Sequence, residues 1–440
     1  MYLVIDQGTT STKVTLFNGD GKRVDSSQKT FKQIFPQNGW VEHNPKEIIE
    51  SVIFCCNDVI KKNNDVSISS LGITNQRETV VLWDKLTGEY LYNAIVWQDR
   101  RTEKKCKELK DKNLEEIVSK KTGLLLDPYF SSTKIAWIID NVDGVKDKIN
   151  KDEVCAGTID SWIIWNLTEG EVFATDITNA SRTNLFNISS LDWDDDLLEI
   201  FSIKKTILPE VRDSDSYFGE SKALSVKIPI FGVIGDQQSA AIGQFCFDEG
   251  DIKSTYGTGC FALISTGKNI VRSENNMLST IGYKINGKLS YALEGSIFMA
   301  GAIIDWLKNN LQIIDNYKEI DNILSSTNIN PEIVLVPAFT GLGAPYWDAK
   351  SRASIFGLTR DSDRNDIILS AVQSVSLQTN DLLNAIKADI ANHSIESFNK
   401  LKVDGGMAEN QWFLQNLSDI CNITISKSFE KEATSLGAAI

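Results

Sequence analysis

YLVIDQGTTSTKVTLF (residues 2–17) and DIKSTYGTGCFALIST (residues 251–266) follow one plan. Each is an apolar strand, a turn rich in glycine and threonine, and a second strand. In the first copy the strands are Tyr2 to Ile5 and Val14 to Phe17. That copy opens the chain. The other follows the acidic turn Asp248-Glu249-Gly250-Asp251, the best place for a domain boundary. The pair predicts duplicated α/β halves, over residues 1–247 and 248–440. A Gly-Thr hairpin suits phosphate: glycine lets backbone approach closely, successive N–H groups can converge on an anion, and threonine adds a hydroxyl donor.

Outward from the hairpins, strands and helices alternate. Glu47 to Lys62 has helical apolar spacing, and Leu71 to Thr74 and Val80 to Trp83 read as strands. Thr102 to Lys121 reads as one charged amphipathic helix, and Arg364 to Lys387 as the longest helix. The chain has 440 residues, enough to bury more than one core. It carries 45 basic and 59 acidic residues, a net charge of −14, which argues against a nucleic-acid partner held by surface charge. Phosphate chemistry through backbone N–H groups and a metal ion stays open. Seven cysteines without a CxxC pair read as reduced thiols in a cytoplasmic protein. Only His43 and His393 are histidines, so a zinc site is not expected. The longest apolar stretch, Ile297 to Ile304, is too short to insert across a membrane.

Two motif matches are set aside. Gly282 to Leu289 nearly spells a Walker A loop, but Leu289 follows Lys288 where a hydroxyl should stand, and Asn286-Gly287 signals a hairpin. Gly257 to Ala262 fits GxGxxA, but the FALIST stretch that follows is β-rich rather than helical. Asp6 and Asp236 each end an apolar strand before a turn. A carboxylate there holds Mg²⁺, takes a proton or caps the next element. Arg77-Glu78 follows another strand and could hydrogen-bond a polyol or face solvent. Gly405-Gly406 either lets a ligand approach a helix start or makes a tight turn.

Longer segments carry a resemblance. DQGTTSTK (6–13), GWVEHNP (39–45), GITNQRET (72–79), DPYFSSTK (127–134), TNASRTNLFNI (178–188), GDQQSAAIGQ (235–244), TYGTGCF (255–261), VPAFTGLGAPYWD (336–348) and VDGGMAEN (403–410) run in order along the chain. Together they resemble the glycerol kinases of the carbohydrate kinase family, whose ATPase core is shared with actin, heat-shock chaperones and hexokinase. The resemblance implies an α/β fold of two actin-like (ribonuclease H-like) ATPase domains with a nucleotide cleft between them. It implies ATP and Mg²⁺ as cofactors, transfer of a phosphoryl group to glycerol, and a homodimer or homotetramer.

The resemblance also implies roles. Thr9, Thr10, Ser11 and Lys13 would form the first phosphate loop, with Lys13 where many members have arginine. Thr258 would contact phosphates, and Gly301, Gly406 and Asn410 would line the nucleotide site. Arg77, Glu78, Tyr129, Asp236 and Gln237 would hold glycerol's hydroxyls, with Trp97 and Phe261 walling its carbons. Asp236 would be the general base, and Asp6 would help position the metal together with Asp236. The family continues past the last residues here, Ser435 to Ile440, so the chain reads as truncated. A kinase of another polyol and a non-catalytic nucleotide-binding module are the alternatives.

Overall fold

The computed structural model describes residues 1–326, 332–348, 350–393 and 395–440. The chain divides into two compact units. One comprises Met1–Gly243, Thr280–Tyr291 and Glu432–Ile440; the other comprises Gln244–Ser279 and Ala292–Lys431.

The first unit is built on a six-stranded mixed sheet. Its order is Tyr217–Glu220, Pro229–Gly235, Ser70–Asn75, Tyr2–Gln7, Ser11–Phe17, Arg23–Thr30. The predicted hairpin is there: Tyr2–Gln7 runs antiparallel to Ser11–Phe17, with Ile5 opposite Val14. Tyr2–Gln7 and Pro229–Gly235 both run parallel to the intervening Ser70–Asn75. Asp6 lies opposite Thr74, and Gly235 opposite Asn75. Three parallel strands therefore end together and deliver Asp6, Asn75 and Gly235 to one edge, where α/β sheets place their ligand sites. Helix Pro45–Lys62 covers one face; Asn44 caps it by accepting from the Lys46 N–H, and Ile48, Val52, Cys56 and Val59 face the core.

The second unit repeats the central pattern. Ile252–Tyr256 is antiparallel to Cys260–Gly267 and parallel to Lys400–Asp404, which is parallel to Thr424–Lys427. Its core is organised by helix Arg364–Ala391, with Ile368, Val372, Val375, Leu382 and Ile386 buried. A capping box between Asp363 and Asp366 starts that helix. Asn286-Gly287 makes a hairpin turn with positive φ at both residues (51° and 70°), so the near-Walker stretch is a β-hairpin. The GxGxxA stretch lies in a hairpin too, because Cys260–Gly267 is a strand.

One element differs from expectation. Thr102 to Lys121 is two helices, Glu103–Asp111 and Glu115–Thr122. Asn113 takes a left-handed φ of 59° between them, which asparagine tolerates and a continuous helix does not. All seven cysteines are free and buried. Among the described residues no helix is long and apolar enough to cross a membrane.

Helix Asp236–Gly243 packs backbone to backbone on helix Ala433–Gly437. A Cβ on Gly243 would fall on the Ala433 carbonyl, and one on Gly437 on the Ser239 carbonyl. The Ser239 hydroxyl donates to the Thr434 carbonyl at 2.6 Å. Gly437→Ala should therefore destabilise the chain by about 1–3 kcal/mol through overpacking. Urea unfolding would show a lower midpoint at constant slope; a wild-type midpoint would mean the helices are not in contact through these glycines.

Candidate active site

At the common edge of the parallel strands of the first unit, four charges meet. Arg77 and Glu78 follow Ser70–Asn75, and Glu78 adopts a left-handed φ of 60° that turns its side chain inward. Both side chains are 2% exposed, whereas Asp236 keeps 29% of its side chain accessible. Arg77 Nε lies 3.1 Å from Asp236 Oδ1 and 4.0 Å from Glu78 Oε1, and its Nη1 donates to Gln238 Oε1 at 3.2 Å. Arg182 Nε donates to Glu78 Oε1 at 2.6 Å. Buried charges persist only when paired in this way. Gly235 makes the approach possible, since a Cβ there would lie 2.7 Å from Arg77 Cδ. The Gln237 N–H donates to Asp236 Oδ1 at 2.7 Å, and the Gly235 N–H to Thr178 Oγ1 at 2.9 Å, which fixes the strand end that carries Asp236.

An aromatic wall adjoins the first hairpin. Trp97 Nε1 donates to Thr9 Oγ1 at 2.9 Å, and the Trp97 ring stands edge-on to Tyr129, centroids 5.7 Å apart. Tyr129 is buried, and the Arg182 guanidinium lies 5.9 Å from its ring centroid. Gly8, Thr9 and Thr10 form the hairpin turn, and Ser11 opens the second strand. The Thr9 carbonyl accepts from Gln33 Nε2 at 2.8 Å, and Ser11 Oγ from Gln28 Nε2 at 2.9 Å. Lys13 is ion-paired with Glu432, which Arg23 also approaches at 3.8 Å. Burial, and then the negative charges of Asp236 and Glu432, push Asp6 up to about 7, with Lys13 opposing.

Asp6 and Asp236 offer hard oxygen donors at one edge, and their mutual repulsion is what a cation would relieve. That donor set fits Mg²⁺, which takes one or two carboxylates and completes its shell with water and phosphate. Among the described residues no group of three or more His, Cys, Asp or Glu side chains is poised to hold a metal unaided.

In the second unit the structure joins Thr258 to Gly301. The Gly257 carbonyl accepts from the Gly301 N–H at 2.8 Å, and the Thr258 carbonyl from the N–H groups of Ala300 and Ala302 at 3.0 and 3.1 Å. A Cβ on Gly301 would lie 2.7 Å from the Gly257 carbonyl oxygen, so glycine permits the contact. Gly405 has φ 90° and packs on Tyr256, while a Cβ on Gly406 would meet nothing within 4 Å. Gly406 thus leaves open space at the end of the parallel strand Lys400–Asp404. Asn410 caps helix Gln411–Cys421, accepting from the Phe413 N–H at 2.8 Å, and its Nδ2 reaches Asp321. Phe261 lies in the strand Cys260–Gly267, opposite Thr255 and half-buried. It belongs to the second unit, apart in the chain from the charged corner and aromatic wall of the first.

Sequence reasoning missed several partners. Arg182 lies 104 residues from Glu78, in a segment quoted for its resemblance but given no role. His43 is buried against Phe31 and shares a hydrogen bond with Gln33 Oε1 at 2.8 Å. Burial pushes it down to about 4, so it is neutral at pH 7. Its Nδ1 lies 3.4 Å from Gln76 Nε2, which donates to Gln7 Oε1 at 3.0 Å. No local pattern marks this amide network; only its burial does.

The residues 1–243 match the N-terminal domain, and residues 252–440 the C-terminal domain, of the FGGY family of carbohydrate kinases. The chain belongs to that family and has its two-domain α/β fold with mixed sheets. It is 49% identical to a glycerol kinase of Marinomonas sp. over 441 residues, 99% of this chain and 88% of that protein. It is 50% identical to a glycerol kinase of Chelativorans sp. over 443 residues, with the same coverage. A crystal structure of Plasmodium falciparum glycerol kinase with ADP superposes with a TM-score of 0.92 at 43% identity, over 100% of this chain and 88% of that one. Xylulose kinase from Lactobacillus acidophilus, at 22% identity and a TM-score of 0.86, shares the fold.

The Glu78–Arg182 pair yields a direct check. Arg182→Met leaves a buried carboxylate short of a partner and should cost about 3–5 kcal/mol in chemical denaturation. Adding Glu78→Gln should recover part of that loss. Equal stability of Arg182→Met and wild type would show that the pair carries no such energy.

Proposed function

We propose that this chain is an ATP-dependent glycerol kinase, transferring the γ-phosphoryl group of ATP to a terminal hydroxyl and yielding sn-glycerol 3-phosphate. The observation that carries the reading is the corner of Arg77, Glu78 and Asp236, in a chain half identical to glycerol kinases. Glycerol is uncharged, so its site must be made of directed donors and acceptors. Arg77 donates; Glu78 and Asp236 accept; Gln237 adds an amide; Trp97, Tyr129 and Phe261 would wall the carbons. Asp236, the more accessible acid, would take the proton of the attacking hydroxyl as general base. Arg77 Nε lies 3.1 Å from its Oδ1 and holds the carboxylate in place for that task.

On the nucleotide side, Thr9, Thr10, Ser11, Lys13 and Thr258 would contact phosphates, and Gly301, Gly406 and Asn410 would line the site. Asp6 and Asp236 would hold Mg²⁺, whose chemistry is to neutralise charge on the phosphate oxygens. The proposed division of labour puts the first hairpin and the polyol residues other than Phe261 in 1–247, and Phe261, together with the nucleotide residues outside that hairpin, in 248–440. A homodimer or homotetramer in the cytoplasm, without nucleic-acid or membrane partners, completes the reading.

A coupled ADP-release assay with glycerol against a panel of pentoses and pentitols tests it. Glycerol should be turned over fastest; preference for a pentitol would move the substrate assignment. Asp236→Asn keeps size and hydrogen bonding but removes the base, so turnover should fall by about 10²–10⁴. A near-normal rate would sink that role. Arg77→Ala or Glu78→Ala should raise the glycerol KM by about ten- to a hundredfold, from loss of a hydrogen bond to a charged group, while sparing the ATP KM. If ATP affinity fell instead, the two halves of the site would be misassigned.

A further inference from the structure

The loop before helix Ser131–Asn141 closes around a lysine. Lys134 is 0% exposed, and its Nζ donates to the carbonyls of Pro128, Tyr129 and Phe130 at 2.9, 2.6 and 2.9 Å. An ammonium has three donors and no acceptor, and here it meets three consecutive carbonyls. The charges facing it are Glu78, Asp99 and Asp127, with the Cys106 thiol. Each of those carboxylates already has an arginine: Glu78 has Arg182 at 2.6 Å, Asp99 has Arg101 at 2.8 Å, and Asp127 has Arg100 at 2.7 Å. The lysine is therefore not needed as a counter-ion. Burying an ammonium is costly; burial pulls Lys134 down to about 7 even against these acids. Its directed contacts are to the backbone on both sides of the Tyr129 ring. Asp127 also braces the turn, its Oδ1 accepting from the Tyr129 N–H at 2.9 Å and its carbonyl from the Phe130 N–H at 3.2 Å, but these bonds leave the three carbonyls for the lysine.

We propose that Lys134 is a positioning residue that gathers the Pro128–Phe130 carbonyls and so fixes the aim of Tyr129 at the polyol site. This rests on the reading of Tyr129 as a polyol contact. The loop and the substrate can be tested separately on the full chain. Lys134→Met keeps the apolar stem and removes all three donors. Amide exchange of residues 127–131, measured by mass spectrometry without substrate, should quicken. The glycerol KM should rise roughly tenfold, with kcat and the ATP KM within about threefold. A lysine that only stabilises the fold would lower the melting temperature without that split. Should Lys134→Met fail to fold, Lys134→Gln, which keeps two donors, carries the same comparison. A folded variant with wild-type exchange and wild-type glycerol KM overturns the proposal. So does faster exchange with an unchanged glycerol KM. If the wild-type chain does not phosphorylate glycerol, the substrate assignment fails, and loop exchange then decides whether Lys134 holds the turn.

Discussion

The first unit's functional corner poses one electrostatic problem: the nearly buried Arg77, Glu78 and Arg182 must be paired with one another and with the more accessible Asp236. Each guanidinium sits against a carboxylate, so no charge in the corner is left to the low-dielectric interior alone. The parallel alignment of Tyr2–Gln7, Ser70–Asn75 and Pro229–Gly235 makes this possible, because it ends three strands at one level. Gly235 clears the path for Arg77, and Thr178 pins the Gly235 N–H. Loosening any of these would cost the pairing before it cost the sheet.

The supporting shell is polar and buried rather than apolar. Asp176 accepts from the N–H groups of Thr178 and Asn179, and Asn179 exchanges amide hydrogen bonds with Asn75 at 3.0 and 3.1 Å. The same short segment therefore touches the strand end before Asp236, the strand end before Arg77, and, through Arg182, Glu78 itself. Hydrogen-bonded networks of this kind narrow the geometry, since shifting a member strands its neighbours without water.

The duplicated hairpins, the long second-half helix and the strand-end acids were legible because each is a local pattern. Apolar runs broken by Gly-Thr turns survive in any context, and a strand with an acid at its end is a statement about a few neighbouring residues. The break at Asn113 was not legible: the amphipathic spacing runs through it, and the single positive φ that ends the helix leaves no trace in periodicity. Arg182 and Lys134 escaped for another reason. An arginine 104 residues away from Glu78, and a lysine in a stretch quoted only for its resemblance, carry no local sign of burial; tertiary packing alone buries them.

The charge balance around the first hairpin decides how a triphosphate could be received there. Asp236 and Glu432 both act on Asp6, with Lys13 opposing them. Lys13 is already paired with Glu432, and Arg77 with Asp236, so neither arrives as spare positive charge. The chain as a whole, at −14, adds no attraction at a distance. A phosphate brought to this edge would meet the carboxylates of Asp6 and Asp236 beside cations already paired with acids, an environment that backbone N–H groups of a tight turn offset only in part. The acids are thus better matched to a divalent cation carried in with the nucleotide than to the nucleotide alone. On the proposed reading, the carboxylates at the strand ends would favour the metal-bound form of the nucleotide over the free one.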